Sequence, residues 1–363
     1  MVSKLVNFVI ISAIIHGPLT ASTSFSACAF TIPNSSKVPT QELFSTHYSG
    51  LEMEPTTSSG TSSQIPYISF QSPFLPTNKK VLNVLIILNT PISTPPGPIF
   101  TKLWDISSLR ICADGGANRL YHGTHNMHSN GSSTSTTSTS PSSNRNEFIP
   151  DLIKGDLDSL DPAVQQYYES VGVKVERDPD QNSNDLDKAL SAIRDYKHQI
   201  ADIDEDDIFD QRPVQVYVYG AFGGRFDQEM ASIQALYRWK DEFNHQITMY
   251  TDETCALLLK PNVQNRIYLP FYSDKLNGTD NENNGNRGEE VNNVNVGEGP
   301  TCGLIPIGCR CDKVETEGFK WNLDGDTPLE FGGLVSTSNR AEQRMLTVWC
   351  SQPLVFSAEI TNI

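Results

Sequence analysis

The chain has 363 residues, of which 37% are hydrophobic and 19% charged, so it can bury the core of roughly one to three domains. Its formal net charge at pH 7 is -16. Non-specific nucleic-acid binding requires a basic face and is therefore not expected. A polyanion can still bind an acidic protein, usually through a divalent cation that reverses the local field.

The seven cysteines are scattered along the chain and form no C-x-x-C pair. Cys302, Cys309 and Cys311 have no histidine partners at the spacing of a zinc finger. We therefore expect reduced thiols rather than a disulfide framework or a zinc site.

Residues 1–75 are rich in Ser, Thr and Pro without sustained periodicity, which predicts a disordered leader. The leader includes "KLVNFVIISAII", an apolar run of signal-peptide length that is too short for a comfortable membrane span. A small-residue "ACA" around Cys28 resembles a cleavage site. Two interpretations stay open, a targeting segment and a freely varying extension.

Strand and helix patterns alternate from about residue 76 to 245. The runs "VLNVLIIL", "LRICADGG", "FIPDLIKGD" and "VQVYVYGAFGG" predict buried strands. The segments "DPAVQQYYESVG" and "SNDLDKALSAIRDY" predict helices, the first with Asp161 as N-cap and Pro162 at its first position. This order predicts a Rossmann-like α/β/α domain with a mostly parallel sheet, interrupted by a low-complexity insertion at 124–146.

The pattern changes after about Gln246. Short runs such as "CALLLK", "CGLIPIG" and "MLTVWC" are separated by Gly, Pro and Asn, which predicts an all-β sandwich or barrel. We expect this second domain to span 246–363, with a polar insertion at 277–299.

Acidic motifs recur where the predicted α/β strands end. They are "ADGG" (Asp114), "GDLDS" (Asp156, Asp158), "DPDQNSNDLDK" (Asp180, Asp185) and "GRFDQ" (Asp227). Any single Asp is often a cap or turn former, but capping does not explain the repeated position after strands. Ligands bind at the carboxyl ends of parallel strands, and paired carboxylates suit Mg²⁺. In an extended segment Asp156 and Asp158 would point the same way, and Gly155 would let the backbone approach a ligand.

Two further motifs allow more than one interpretation. The glycines of "YGAFGGRFD" permit close approach to phosphates, with Arg225 as a fork donor, but they also fit a tight turn before a helix. The chain has neither a P-loop nor a G-x-G-x-x-G fingerprint. "GFKWNL" places Trp321 on a predicted strand, either in the core or as an aromatic face for a flat cationic ligand.

In this order, "CADGGANRLY", "GDLDS", "DPDQ", "GRFDQ", "GLIPIG", "GFKWNL" and "FGGLVSTSN" resemble the eukaryotic thiamine pyrophosphokinase family, from roughly Val84 to Val355. The resemblance implies an α/β domain followed by a β-sandwich. It implies a homodimer whose active site lies between one subunit's α/β domain and the other's β domain. The implied reaction moves a pyrophosphoryl group from ATP to the hydroxyethyl oxygen of thiamine, releases AMP and uses Mg²⁺.

The resemblance also implies roles for individual residues. The metal ligands would be Asp114, Asp156, Asp158 and Asp185, and the catalytic carboxylates Asp156, Asp158, Asp185 and Asp227. The phosphates or the substrate hydroxyl would meet Gln181, Gly224, Arg225, Asp227 and Gln228. Thiamine would meet Trp321, Ser336, Thr337, Ser338 and Asn339. The proton acceptor would be Asp158, Asp185 or Asp227, and Asn184 stands where the family usually has Ser or Thr.

Two other function classes remain open. One is a non-catalytic thiamine- or nucleotide-binding protein, and the other is a related transferase or hydrolase with a different acceptor. The retained carboxylates favour an enzyme, and Trp321 with "STSN" favours a thiamine-like ligand. ATP and reduced cysteines predict a cytoplasmic protein with no membrane partner, and targeting by the leader is the alternative.

Overall fold

The computed structural model describes residues 65–76, 81–125, 148–201, 213–270 and 296–362. These residues form fourteen strands and five helices. The strands are β1 (Tyr67–Gln71), β2 (Leu82–Ile87), β3 (Leu109–Ala113), β4 (Leu152–Gly155), β5 (Lys174–Arg177), β6 (Val214–Tyr219), β7 (Ile247–Tyr250), β8 (Thr254–Leu258), β9 (Gln264–Tyr268), β10 (Val296–Ile305), β11 (Val314–Glu317), β12 (Ser336–Arg340), β13 (Met345–Cys350) and β14 (Val355–Asn362). The helices are α1 (Pro98–Ile106), α2 (Gly116–His125), α3 (Pro162–Ser170), α4 (Asp185–Ala201) and α5 (Phe226–Arg238).

The predicted leader and insertions lie mostly outside the described residues. Where they overlap, three boundaries were wrong, the smallest difference being at α2, which continues to His125 inside the first predicted insertion. β1 forms inside the predicted leader, because Ile68 and Phe70 alternate into the core and the strand pairs in parallel with β9. β10 begins at Val296, inside the second predicted insertion.

The larger sheet has ten strands in the order β12-β10-β14-β8-β7-β6-β2-β3-β4-β5. The six strands from β7 to β5 pair in parallel, and the pairs from β12 to β7 are antiparallel. One sheet therefore runs through both predicted domains. β2 is buried at all of its positions, as expected for a strand in the middle of a covered parallel sheet.

Helices pack on both faces of the parallel strands. Val84 and Ile86 of β2 share a core cluster with Leu190 and other residues of α4 and α5. Leu85 and Ile87 point the other way and pack with residues of α1, α2 and α3. Because alternate side chains of a strand face opposite sides, β2 is covered on both faces. The predicted mixed α/β fold is confirmed.

Asp161 begins α3 as predicted from the sequence. Its Oδ1 accepts a hydrogen bond of 2.8 Å from the Ala163 amide, and Pro162 is the first helical residue. The carboxylate thus satisfies a backbone donor that has no partner within the helix.

The smaller sheet has the order β1-β9-β13-β11. Its buried residues, such as Ile267 and Val348, share one core cluster with Leu304 and Phe356 of the larger sheet. No helix among the described residues has the length and apolar character of a membrane span. The six cysteines in the described ranges are free thiols.

A buried carboxyl group joins the two sheets. Glu298 on β10 is 3% exposed, and its Oε1 accepts a hydrogen bond of 2.7 Å from Tyr250 on β7. Its Oε2 accepts a 2.6 Å hydrogen bond from Ser72, just after β1. Burial raises the pKa of Glu298, although both hydroxyl groups act in the opposite direction.

This raised pKa makes stability depend on pH. The native state keeps a proton that the unfolded chain has already released, so stability falls as the pH rises through the native pKa of Glu298. Glu298→Gln removes this contribution. The urea midpoint of the variant minus that of the wild type should therefore increase as the pH is raised from about 5 to about 8. Glu317→Gln, at an exposed position on β11, is the control. An unchanged difference between Glu298→Gln and wild type across this range would contradict the analysis.

Candidate active site

Three carboxylates meet at the carboxyl ends of neighbouring parallel strands. Asp114 follows β3, Asp156 follows β4, and Asp185 begins α4. One oxygen from each lies within 4.8 Å of the others. The structure therefore brings together three of the four predicted metal ligands.

Local backbone geometry lets Asp114 reach this cluster. It is 1% exposed and has a φ of 42°, a left-handed conformation that is uncommon outside glycine. Its Oδ2 accepts a 3.2 Å hydrogen bond from the Ser159 amide. A Cβ at Gly155 would lie 2.6 Å from the Asp114 Cβ and 3.2 Å from Asp185 Oδ1. Glycine at 155 thus leaves room for the carboxylates themselves, whereas the sequence suggested room for a ligand.

Asp158 does not join the cluster, contrary to expectation. Leu157 has a φ of 66°, so the segment turns and the two carboxylates no longer point the same way. The Asp158 amide instead donates to Asp156 Oδ1 at 3.2 Å, and its own carboxylate accepts from the Ser159 hydroxyl at 3.0 Å. A metal-binding or catalytic role for Asp158 stays a prediction.

Lys188 is a site residue that the sequence analysis missed. Its side chain is 2% exposed, and its Nζ lies 3.4 Å from Asp156 Oδ2 and 3.5 Å from Asp185 Oδ1. Burial acts to lower the pKa of Lys188, but Asp185 and Asp156 outweigh it and raise that pKa. The spacing of one helical turn from Asp185 was the available signal, although it is also typical of an ordinary surface pair.

The cluster has more negative charge than its protein partners balance. Burial is the main cause that raises the pKa of Asp114 and of Asp185, while the Asp158 amide and Lys188 lower that of Asp156. Asp114 Oδ1 is buried and accepts no hydrogen bond from the described residues, and the buried Asp185 Oδ1 has only the ion-pair contact with Lys188 Nζ at 3.5 Å. Unsatisfied buried carboxylate oxygens fit a hard divalent cation such as Mg²⁺.

The cluster borders a cleft of about 560 Å³, a size that suits a small-molecule cofactor or substrate. Asp156, Asp185 and Lys188 lie on its wall. Gly224 and Arg225 of the loop after β6 and Gln228 of α5 also line it. Their predicted role as a phosphate site stays a prediction.

The loop after β6, which contains Gly223 and Gly224, binds a carboxylate of the same chain. The amides of Gly223 and Gly224 both donate to Glu229 Oε1, at 2.9 and 3.1 Å. Arg225 forms a two-pronged pair with Asp227, with distances of 3.1 and 2.5 Å. This pairing lowers the pKa of Asp227, whose side chain is exposed and is not part of the cleft wall.

Two other predicted positions have structural partners. Gln181 is exposed outside the cleft wall, and its side-chain amide donates to the Pro179 carbonyl at 3.4 Å. Asn184 lines the cleft and accepts a 2.8 Å hydrogen bond from the Asp187 amide, so it caps the start of α4. Ser and Thr also cap helices well, which explains why Asn is acceptable at this position.

Trp321 was predicted to lie on a strand, but it lies in a bend between β11 and β12. Its side chain is 56% exposed, and Lys320 Nζ lies 4.6 Å from the ring centroid. Asn339 is buried and binds the backbone of Trp321 twice, donating to its carbonyl at 2.8 Å and accepting from its amide at 3.2 Å. Asn339 therefore orients the bend that carries the ring.

The remaining predicted thiamine-binding residues lie on the edge strand of the larger sheet. They are Ser336, Thr337 and Ser338, all at least partly exposed on β12. The cleft wall includes none of these three residues, nor Trp321 or Asn339. Within one chain, the structure does not bring the two predicted halves of the site together in one cleft.

Replacement of Lys188 tests the charge balance of the cluster. Lys188→Met keeps the aliphatic stem and should lower the free energy of unfolding by roughly 2 kcal/mol, less than for a fully buried pair because Asp156 and Asp185 are partly exposed. Mg²⁺ should restore more stability in this variant than in the wild type, because three carboxylates then lack a counter-charge.

Thermal unfolding with and without Mg²⁺ measures both effects. The control is Lys174→Met, which removes an exposed ion pair and should change little. A smaller Mg²⁺ effect in Lys188→Met than in the wild type would contradict this account of the cluster.

Two family models match the chain. The model described as "Thiamin pyrophosphokinase, catalytic domain" matches residues 100–250. The model described as "Thiamin pyrophosphokinase, vitamin B1 binding domain" matches residues 290–355. The first match contains the carboxylate cluster and most of the cleft wall, and the second contains Trp321 and β12.

Similar proteins agree with these matches. Thiamine pyrophosphokinase 1 of Oryza sativa subsp. japonica is 33% identical over 261 residues, covering 72% of this chain and 82% of that protein. Thiamine pyrophosphokinase 1 of Arabidopsis thaliana is 32% identical, covering 80% of this chain and 91% of that protein. The solved structure of thiamin pyrophosphokinase from Candida albicans has a TM-score of 0.58 at 29% identity, covering 81% of this chain and 93% of that chain. The chain belongs to the thiamine pyrophosphokinase family.

Proposed function

We propose that the chain transfers the pyrophosphoryl group of ATP to the hydroxyethyl oxygen of thiamine, giving thiamine diphosphate and AMP. The observation that carries this proposal is the three-carboxylate cluster, two of whose members, Asp156 and Asp185, line a cleft large enough for a nucleotide. Membership of the family makes the chain a transferase that uses ATP and thiamine. The finer architecture in this proposal is a Rossmann-like α/β/α half followed by a β-sandwich half.

We propose that Asp114, Asp156 and Asp185 hold Mg²⁺. Their clustered oxygens support this assignment, since Asp114 Oδ1 is buried without a hydrogen bond from the described residues and Asp185 Oδ1 has only the Lys188 ion pair. Mg²⁺ held by these residues would supply neutralisation of phosphate charge, which is the main requirement of phosphoryl-type transfer. The buried Lys188 side chain holds two of the carboxylates, Asp156 and Asp185, in place through its ion pairs with both.

The loop after β6 is proposed to bind the phosphate chain. Backbone amides of Gly223 and Gly224 already accommodate a carboxylate, so they are oriented to bind an anion. Arg225 and Gln228 lie beside them on the cleft wall. The thiamine hydroxyl proton passes to a carboxylate, with Asp158, Asp185 and Asp227 as the candidates. Arg225 lowers the pKa of Asp227, which makes this carboxylate a weaker base than it would be without the ion pair.

Thiamine is proposed to stack on Trp321. The exposed ring already has a cation, Lys320, over its face, and the thiazolium ring of thiamine is a flat cation. Because Trp321 is not on the wall of the nucleotide cleft, we propose a homodimer that joins one subunit's cleft to the other's Trp321 bend. Exposed apolar side chains near the cleft and near Trp321 support a partner surface. Phe226 lies beside the cleft, and Phe331 lies in the same inter-strand segment as Trp321.

We also propose a cytoplasmic location. ATP is abundant there, and the six described cysteines are free thiols that suit a reducing compartment.

The reaction is tested by incubating the purified protein with ATP, Mg²⁺ and thiamine and identifying the products. We expect thiamine diphosphate with stoichiometric AMP. Asp156→Asn and Asp185→Asn should each lower kcat by on the order of a hundredfold or more, because each removes charge from the metal cluster. Asp195→Asn, an exposed position on the same helix as Asp185, is the control. ADP as the product would exclude pyrophosphoryl transfer, and thiamine binding without nucleotide turnover would indicate a binding protein.

The shared active site is tested by complementation. Trp321→Ala should raise the KM for thiamine tenfold or more while the KM for ATP stays unchanged. Co-expression of Trp321→Ala with Asp185→Asn forms mixed dimers in which one of two sites is intact, so about a quarter of the wild-type sites should return. If each site were built within one subunit, co-expression would give no more activity than the average of the two variants expressed separately, at thiamine concentrations below the KM of Trp321→Ala.

A further inference from the structure

Arg119 is a cleft residue to which the proposed reaction assigns no role. It lies on α2 and shares the cleft wall with Asp156 and Lys188. Of the described residues that line the cleft, the basic side chains are Arg119, Lys188 and Arg225.

The other two cations already have carboxylate partners. Lys188 lies between Asp156 and Asp185, and Arg225 is paired with Asp227. Within the described ranges, Arg119 forms no ion pair. Its hydrogen bond goes from Nε to the neutral side-chain carbonyl of Asn89, at 2.7 Å. Arg119 therefore brings a positive charge to the cleft that no described carboxylate neutralises.

Asn89 fixes the orientation of this guanidinium. It follows the carboxyl end of β2, and a Cβ at Gly115 would lie 2.4 Å from its Nδ2. The Asn89 amide is thus packed against the residue next to Asp114, while its oxygen holds the Nε of Arg119. The two Nη groups donate to no side chain or backbone atom among the residues that the structure describes, so both are available to a ligand.

We propose that Arg119 binds the phosphate chain of the nucleotide through its two Nη groups, with Asn89 as its positioning residue. This inference rests on the proposed function. A guanidinium fork matches phosphate oxygens in a two-pronged, charge-assisted arrangement. Thiamine is a cation and would be repelled by Arg119, so the assignment is specific for the anionic substrate.

The test measures the binding of the non-hydrolysable analogue α,β-methylene-ATP with Mg²⁺ by calorimetry, using the full chain. Arg119→Gln should weaken binding by about 10- to 100-fold, because charged hydrogen bonds are lost, while thiamine binding is unchanged. The affinity of Arg119→Lys should lie between those of the wild type and Arg119→Gln, since an ammonium group keeps the charge but not the two-pronged geometry of the guanidinium. Arg194→Gln, on α4 outside the cleft wall, is the control and should bind like the wild type.

Asn89→Ala tests the positioning role. It should raise the KM for ATP with little change in kcat, and adding it to Arg119→Gln should cause no further loss. An additive loss would mean that Asn89 does not act through Arg119 and would overturn its positioning role.

Wild-type affinity of Arg119→Gln for the analogue would overturn the inference and leave the proposed reaction standing if the wild type still forms AMP. Absence of analogue binding to the wild type would overturn it as well. If the wild type binds the analogue but forms no AMP, the proposed reaction fails, while weaker binding by Arg119→Gln still supports the inference.

Discussion

The site depends on holding like charges close together. At an effective dielectric constant of about 20, two carboxylates that are about 4 to 5 Å apart repel by on the order of 3 to 4 kcal/mol. Asp114, Asp156 and Asp185 are held that close, with Lys188 as the buried counter-charge. Two negative charges remain uncompensated, which matches one divalent cation. The surrounding fold must resist this repulsion before any cation binds.

The parallel sheet provides that resistance. β3 and β4 are hydrogen-bonded neighbours, so Asp114 and Asp156 leave the sheet at the same edge. The core on both faces of β2 makes the strand ends rigid. Gly155 then removes the last steric obstacle between Asp114 and Asp185. The positive φ of Asp114 is an unfavourable backbone conformation, and the surrounding packing holds it in place, as is common at functional sites.

Sequence patterns predicted which carboxylates the strand ends bring together, and they failed where a single dihedral angle or a distant strand pairing determined the structure. Asp114, Asp156 and Asp185 were found because each comes after a recognisable strand or begins a helix. Asp158 lies outside the carboxylate group, which was not predicted because the left-handed turn at Leu157 leaves no clear signal in the residue type. The ten strands form one sheet because β7 pairs antiparallel with β8, and β1 is a strand because it pairs with β9, far along the chain. Neither pairing could be inferred from local periodicity.

The opposite charges of ATP and thiamine give a physical reason for the separate binding regions that we propose. ATP is a polyanion and needs cations close to its phosphates, whereas thiamine is itself a cation. A single pocket lined with free guanidinium groups would bind the first and repel the second. In this chain the basic residues of the cleft and the exposed Trp321 lie on different parts of the fold, and Asn339 orients Trp321 independently of the carboxylate cluster. In the homodimer that we propose, two such surfaces would join across subunits, and each would keep its own electrostatic character until the substrates meet.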